Sequence, residues 1–285
     1  MRYGLELPNA GIGGDPRVLA DLAQLAEVAG WDGVFLEDYI THSSAYDAAT
    51  YDPWVALAAM ALHTRRIRLG TTVTPLSRRR PWKLARETVT LDHLSQGRLI
   101  LGVGLGDTQD PGFSAVGEIT DARQRARMLD ETLDILVGLW SGKPFSYVGV
   151  YFQLQEVVFL PQPIQTPRIP IWVGGNWPHR GPIKRAAQWD GFVGGKAHAD
   201  DEDWHVTPQE THALIEAIRR QRSVETPFDV ALGGGPRGDD LEEERAMIRS
   251  LADAGATWWM EYVTPELGGL DAMRARIKAG PVRIE

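Results

Sequence analysis

The stretch IRLGTTVTPLSRRRPWKLARETVTLDHLSQGRLILGVGLG, residues 67–106, contains the repeating unit from which the chain is built. Its β-branched start, residues 67–73, predicts a strand, and residues 98–103 predict the next one. Between them, residues 81–94 predict a helix that begins with a proline, a residue favoured at the first helical position. A strand, a helix and a second strand in this order are typical of a parallel sheet covered by helices.

The same alternation continues in both directions along the chain. Further strands are predicted at 3–8, 33–37, 169–173, 191–194, 228–232 and 257–263. Further helices are predicted at 16–29, 53–63, 121–140, 182–188, 208–221, 241–254 and 270–279. Eight strand–helix pairs predict a (β/α)8 TIM barrel in which residues 1–285 form a single domain, since about 250 residues is typical of that fold. An open doubly wound sheet is the alternative.

The alternation is interrupted at about residues 142–168, after the fourth strand and its helix. Here residues 151–154 and 157–160 predict a small hairpin, and prolines at 161, 163 and 167 predict an extended connector. We interpret this segment as an insertion outside the barrel.

Composition excludes several classes of protein. The chain has a net charge of -8 and no cysteine. The negative charge argues against binding of nucleic acid or of a membrane surface, and the absence of cysteine excludes disulfides and thiolate catalysis. The start, MRYGLELP, does not resemble a signal peptide, and no apolar run approaches the roughly 18 residues of a membrane span. We therefore expect a cytoplasmic protein.

Glycines follow several of the predicted strands, where a barrel enzyme carries its active site. Residues 174–176 predict a turn before a helix start near Arg180, so backbone N–H groups, the helix dipole and a guanidinium could hold a phosphate there. A plain tight turn is the alternative. Tryptophan side chains are candidates to line a pocket at this end, namely Trp54, Trp177, Trp258 and Trp259.

Proton-handling candidates also follow the strands. His42 comes after the second strand and Asp107 after the fourth, whereas Asp110 and residues 78–80 are expected to be solvated. The seven histidines show no spacing typical of metal ligands, so no metal site is predicted, and a metal-dependent hydrolase is a poor interpretation.

The motif in residues 90–98, TLDHLSQGR, followed by LGVGLG at 101–106, resembles the luciferase-like monooxygenase family. GWDG at 30–33 and IWVGG at 171–175 are similar in kind and order, so the resemblance spans nearly the whole chain. It implies a TIM barrel that binds coenzyme F420, or alternatively FMN, across its mouth, with a peptide after strand three that is often cis. The implied cofactor-binding residues are Thr71, Thr72, Val73, Gly104, Gly106, Val173, Gly174, Gly175, Asn176 and Arg180.

Two departures from the family pattern affect the expected chemistry. Many F420-dependent members have Asp-His after strand two, where this chain has Asp38 and Tyr39, so Tyr39 or His42 would have to replace that histidine. Sugar-phosphate dehydrogenases of the family have Glu where this chain has the shorter Asp107, and we therefore do not predict a sugar phosphate as substrate.

The sequence thus predicts an F420-dependent oxidoreductase that transfers hydride to or from a small organic substrate, with proton handling by Asp38, Tyr39, His42 or Asp107. An FMN-dependent monooxygenase supplied by a separate flavin reductase is the first alternative. A flavin-binding protein without catalytic activity is the second. Apolar residues on predicted helix surfaces favour a homodimer.

Overall fold

Eight parallel strands close into a barrel in the computed structural model, which describes residues 1–41, 48–108, 110–196, 206–223, 225–235 and 237–284. These eight strands, numbered in chain order together with the others, are β1 (Arg2–Leu7), β2 (Gly33–Leu36), β3 (Arg68–Thr71), β5 (Leu99–Gly104), β8 (Ile171–Trp177), β9 (Gly191–Lys196), β10 (Asp229–Gly235) and β11 (Trp258–Tyr262). The described residues also form the short β4 (Thr74–Pro75), and β6 (Phe145–Val148) and β7 (Gln153–Val157) of the insertion.

Closure of the barrel depends on one pairing. The strands follow the order β3-β2-β1-β11-β10-β9-β8-β5, and β3 then pairs in parallel with β5 through Leu69 and Gly70. The two-residue β4 prolongs this side by pairing with the end of β5. The TIM barrel prediction is therefore confirmed, because an open sheet would leave β3 and β5 at separate edges.

The helices surround the barrel. They are α1 (Pro16–Ala29), α2 (Pro53–His63), α3 (Pro81–Ser95), α4 (Pro111–Ser114), α5 (Ala122–Trp140), α6 (Arg180–Ala186), α7 (Pro208–Arg219), α8 (Leu241–Asp253) and α9 (Gly269–Lys278). The Asp15 and Asp52 side chains cap the first turns of α1 and α2, each followed by a proline, so these two helices start where the sequence predicts. The short α4 was not predicted.

The inserted hairpin uses different strands from those predicted. Phe145–Val148 pairs antiparallel with Gln153–Val157, so the expected strands at 151–154 and 157–160 are wrong. The reason is a contact distant in sequence. The carboxylate of Glu131 on α5 accepts hydrogen bonds from the backbone N–H groups of residues 150, 151 and 152, which makes that segment the turn.

A cluster of large side chains fills the inside of the barrel. The Phe35 and Trp172 rings stack with centroids 5.1 Å apart, and Trp258 lies edge-on to Trp172 at 5.3 Å. Ile100, Val193, Ala231 and Met260 complete this inner cluster. Trp258 therefore belongs to the interior packing below the mouth, and not to the lining of a pocket. In the described part of the chain, no helix combines the length and the apolar character needed to cross a membrane.

The approach of β3 to β5 generates the first testable prediction. A Cβ atom at Gly102 would lie 1.9 Å from the carbonyl oxygen of Thr71, so Gly102→Ala forces these strands apart. We expect this change to lower the free energy of unfolding by roughly 1–3 kcal/mol, as overpacking does. Urea unfolding should show a lower midpoint with an unchanged slope.

Gly181→Ala is the matched control, because a Cβ atom at Gly181 would have no neighbour within 4 Å. This variant should keep the wild-type midpoint or exceed it. Equal stability of the two variants would contradict the close approach of the strands at Gly102.

Candidate active site

A cavity of about 590 Å³ opens at the carboxyl ends of the barrel strands. Strands from all sides of the barrel contribute, including Glu6 of β1, Gly104 of β5, Asn176 of β8, Gly233 of β10 and Met260 of β11. A smaller hollow of about 140 Å³ shares Thr72, Val73, Gly106 and Asp107 with it and reaches Tyr39. The volume is in the range of small-molecule sites.

Val73 lines both the cavity and the smaller hollow. The peptide bond between Thr72 and Val73 is cis, and the Val73 side chain packs on the inner cluster below. Cβ atoms at Gly104 and Gly174 would lie only 2.5 Å and 2.6 Å from Val73 methyl carbons. The two glycines therefore provide the space that the valine side chain occupies.

Most of the predicted cofactor-binding residues line this cavity. These are Thr72, Val73, Gly104, Gly106, Gly174, Gly175 and Asn176. Thr71 and Val173 are fully buried instead, and the Thr71 hydroxyl donates a hydrogen bond to the carbonyl of Gly102 at 3.0 Å. They hold the strands in register and do not face the cavity.

The predicted phosphate turn is a strand. Residues 174–176 continue β8 and pair with β9 as far as Trp177 and Lys196, because the neighbouring strand supplies the hydrogen bonds that a turn would lack. Arg180 is exposed at the start of α6 and lines a separate outer hollow beside Trp177 and Lys184. The structure therefore does not bring Arg180 to the mouth cavity.

Asp38 is buried in an ion-pair network. Its carboxylate accepts three hydrogen bonds from the Arg79 guanidinium, at 2.7, 2.8 and 3.1 Å, and Arg78 donates to its backbone carbonyl. Arg78 also donates to the buried Asp110 carboxylate at 2.9 Å, so the expectation that Asp110 and the arginines at 78 and 79 are solvated is wrong. These pairs join residues more than 30 positions apart, and no local pattern reveals them.

Tyr39 and Asp107 meet at the smaller hollow, which both side chains line. Asn9 positions Tyr39, since its side-chain amide donates to the Tyr39 carbonyl at 2.8 Å and accepts from the Tyr39 N–H at 3.2 Å. Burial and then the nearby Glu37 raise the pKa of the Tyr39 phenol, which keeps it protonated and able to donate. His42 lies outside the described residues.

Two carboxyl groups at the mouth were not among the predicted proton-handling residues, although Glu37 lies at the end of a predicted strand. Glu6 lies near the carboxyl end of β1 and faces the cavity, and its carboxylate accepts a hydrogen bond from the Thr72 hydroxyl at 2.9 Å. Glu37 follows β2 and accepts from the Tyr262 hydroxyl at 3.5 Å. Burial raises the pKa of Glu6 to about 8 and of Glu37 to about 7. The lone charged residue between two buried leucines in GLEL, residues 4–7, is the signal that could have identified Glu6.

Carboxylate and imidazole groups do not gather into a metal site in the part of the chain that the structure describes, where no group of three such side chains is found. The chemistry available at the mouth is that of carboxyl, phenol, hydroxyl, amide and imidazole groups beside the apolar Val73. Such groups bind a ring by its edge and move protons, which is what a site for an organic cofactor requires.

The raised pKa values predict how stability depends on pH. Glu6 and Glu37 bind protons up to about pH 8 and 7 when folded, but only to about pH 4.5 when unfolded, so stability falls as pH rises through that window. Glu6→Gln cannot ionise and removes part of this loss. We expect the Tm of the variant, relative to wild type, to rise by at least about 2 °C between pH 5 and pH 9.

Differential scanning calorimetry across that pH range measures the effect. Glu156→Gln, on the exposed surface of the hairpin, is the control and should run parallel to wild type. Parallel curves for Glu6→Gln and wild type would show that the Glu6 pKa is not raised.

Comparison with known proteins gives a consistent result. A family model for luciferase-like monooxygenases matches residues 3–262. An F420-dependent glucose-6-phosphate dehydrogenase from Microbacterium testaceum is 32% identical over 265 residues, covering 88% of this chain and 74% of that protein. A monooxygenase from Streptomyces bottropensis superposes with a TM-score of 0.80 at 20% identity, covering 98% of this chain and 97% of that one.

A second solved structure, an F420-dependent secondary alcohol dehydrogenase in complex with an F420–acetone adduct, has a TM-score of 0.77 at 19% identity and covers 99% of both chains. At such identities the two structures support the fold, while the family match and the dehydrogenase relative extend over most of the sequence. This chain belongs to the luciferase-like monooxygenase family.

Proposed function

We propose that this protein is an F420-dependent oxidoreductase that transfers hydride to or from a small organic substrate at the barrel mouth. The observation that carries the proposal is the wide cavity over Val73, with glycines at the surrounding strand ends. The 32% identity to an F420-dependent dehydrogenase supports the choice of cofactor.

The residues present fit a flat ring. Val73 offers an apolar surface in the cavity, and Gly104 and Gly174 leave room for its side chain. Thr72 and Asn176 place hydrogen-bonding groups at the cavity wall, where a ring edge needs them. When bound, F420 would supply the ring carbon that accepts or releases the hydride.

Proton handling falls to groups beside the cavity. Tyr39 is held protonated and is suited to donate a hydrogen bond to a substrate oxygen, and Asp107 lines both the cavity and the smaller hollow. Asp38 is committed to Arg79, so we assign it the task of fixing the loop after β2. His42 stays a candidate from the sequence alone.

The charge of the cavity favours an uncharged substrate. The described residues that line it include the acidic Glu6 and Asp107 and an imidazole, His179, but no lysine or arginine. A phosphate group would face two carboxyl groups with no guanidinium or ammonium group to pair with, which is unfavourable in a partly desolvated site. We therefore infer a neutral alcohol or carbonyl compound and not a sugar phosphate.

A second candidate is an FMN-dependent monooxygenase that receives reduced flavin from a separate reductase, because a monooxygenase shares this fold over nearly its full length. Oxygen uptake coupled to substrate oxygenation would distinguish it from hydride transfer.

The expected cytoplasmic location remains part of the proposal, since a diffusible redox coenzyme has to be regenerated by other enzymes.

A binding titration tests the cofactor. We expect the purified protein to bind F420 with a micromolar or lower Kd by fluorescence, and FMN at least about tenfold more weakly, which corresponds to 1.4 kcal/mol. Asn176→Trp adds a large side chain at an exposed position of the cavity wall. This variant should weaken F420 binding about tenfold or more without changing the circular dichroism spectrum.

Gln221→Trp is the control, because Gln221 lies on the outer surface between α6 and α7. It should bind F420 as wild type does. Tighter binding of FMN would select the monooxygenase, and binding of neither compound would reject the cofactor proposal.

We also propose a homodimer formed by the outer surfaces of α1 and α2. These helices pack against each other, and Val28, Val55 and Leu62 on them are 79%, 65% and 69% exposed. Val55 and Leu62 are seven positions apart, which places them on one side of α2. Burying such side chains in a dimer is favourable by about 25 cal/mol per Å².

Leu62→Glu tests the interface. A buried, unpaired carboxylate is costly, so light scattering should show a dimer for the wild type and a monomer for the variant. Val148→Glu, at an equally exposed valine on the hairpin, is the control and should stay dimeric. A dimer that persists in Leu62→Glu but dissociates in Val148→Glu would move the interface to the hairpin.

A further inference from the structure

Glu6 and Glu37 occupy neighbouring positions on the inner side of the barrel. The register pairs Glu6 with Tyr262 of β11 on one side and with Phe35 of β2 on the other. Phe35 points into the barrel, and Glu37 follows two residues later, so its side chain leaves the chain on the same side. The two carboxyl groups therefore come together just above the aromatic floor.

Glu6 and Glu37 differ from three other buried acids of the described residues, which form ion pairs with arginines. Asp38 is paired with Arg79, Asp110 with Arg78, and Glu261 with Arg237 at 2.9 Å. Among the salt bridges of the described residues, none involves Glu6 or Glu37. Because a buried carboxylate without a cation is costly, the two groups are neutralised by protons instead.

The groups that face the pair act on it in both directions. Glu266 raises the pKa of Glu37 further, and Glu37 in turn raises the pKa of Glu6. The hydroxyl groups of Thr72 and Tyr262 donate to the pair and lower its pKa values, but burial has the larger effect. Burial also raises the pKa of the Tyr262 phenol, so that it stays protonated. Tyr39 is close enough for both carboxylates to raise the pKa of its phenol.

We propose that Glu6 and Glu37 share the proton that the reaction exchanges with the substrate oxygen, with Glu6 at the cavity and Glu37 behind it as its proton partner. This inference rests on the proposed function. In alcohol oxidation the pair accepts the hydroxyl proton, while the hydride and its two electrons pass to the oxidised cofactor. In carbonyl reduction the pair returns the proton. No other oxidant or reductant is needed.

The proposal accounts for the missing histidine. The family resemblance implies an Asp-His pair after strand two, and this chain has Tyr39 at the histidine position. Glu37 lies two positions before Tyr39, and Glu6 lies on β1, the strand that pairs with β2. The carboxyl pair is therefore close to the position at which the family pattern has its histidine. Because the two acids interact, their protons are lost in two steps whose pKa values belong to the pair and not to either residue alone.

Infrared spectroscopy of the protein without cofactor provides a readout independent of activity. The wild type should show the carbonyl stretch of protonated carboxylic acid at pH 6.5, and this band should disappear near pH 7 to 8. Glu6→Gln should remove part of the band. Glu37→Gln should move the titration of Glu6 to lower pH, because it removes the neighbouring negative charge. Glu156→Gln, on the exposed surface of the hairpin, is the control and should retain the whole band.

Turnover with F420 and a panel of secondary alcohols provides the second readout. Glu6→Gln should lower kcat about 100-fold, a typical loss for a general acid or base, while the Kd for F420 changes less than threefold. Glu37→Gln should shift the acidic limb of the pH profile downwards, and Glu156→Gln should keep the wild-type kcat and pH profile.

The outcomes separate the two proposals. Wild-type turnover with unchanged kcat and pH profile in both pair variants would overturn the proton-sharing role and leave the F420 function standing. A wild type that binds no F420 would overturn the function and this inference together. Absence of a protonated carboxyl band above pH 6 would overturn the inference whatever the activity.

Discussion

The packing of Phe35, Trp172 and Trp258 inside the barrel is the interaction on which the rest of the site depends. The three rings lie within 5.1 to 5.8 Å of one another, and they occupy the interior where eight strands would otherwise leave a gap. Aromatic rings are large and rigid, so this packing fixes how deep the mouth can be. Val73 rests on the cluster, and every group proposed to act on a substrate stands above it.

Charge is arranged in two ways around that floor. Behind the mouth, arginines neutralise buried carboxylates, and these ion pairs fasten the loop after β2 to the segment before α3. At the mouth itself, Glu6 and Glu37 have hydroxyl donors but no cation within the described residues. An ion pair with arginine would hold its charge at any physiological pH, whereas a carboxyl held by hydroxyl groups can change its protonation state. The ion pairs therefore make the loops rigid, whereas the carboxyl groups at the mouth are able to take up and release protons.

The alternation of strands and helices was readable from the sequence because it rests on local chemistry. Asp-Pro starts, apolar periodicity and the glycine after α1 act over a few residues, and the barrel follows from their repetition. The features that the sequence did not predict depend on residues far away along the chain. Residues 174–176 look like a turn until β9 is seen beside them, and Glu131 decides where the hairpin turns from 19 positions away. Asp110 was misjudged for the same reason, since its partner Arg78 lies 32 positions earlier.

The interlocking of Val73 with Gly104 and Gly174 has a consequence for how this pocket can change over evolution or in the laboratory. A methyl group at either glycine collides with the valine, and a smaller residue at position 73 leaves a void between the two strands. The three positions therefore form one unit of variation, in which a substitution at one changes what the other two tolerate. Libraries that vary them jointly would include combinations in which a side chain at position 104 or 174 accompanies a smaller one at position 73.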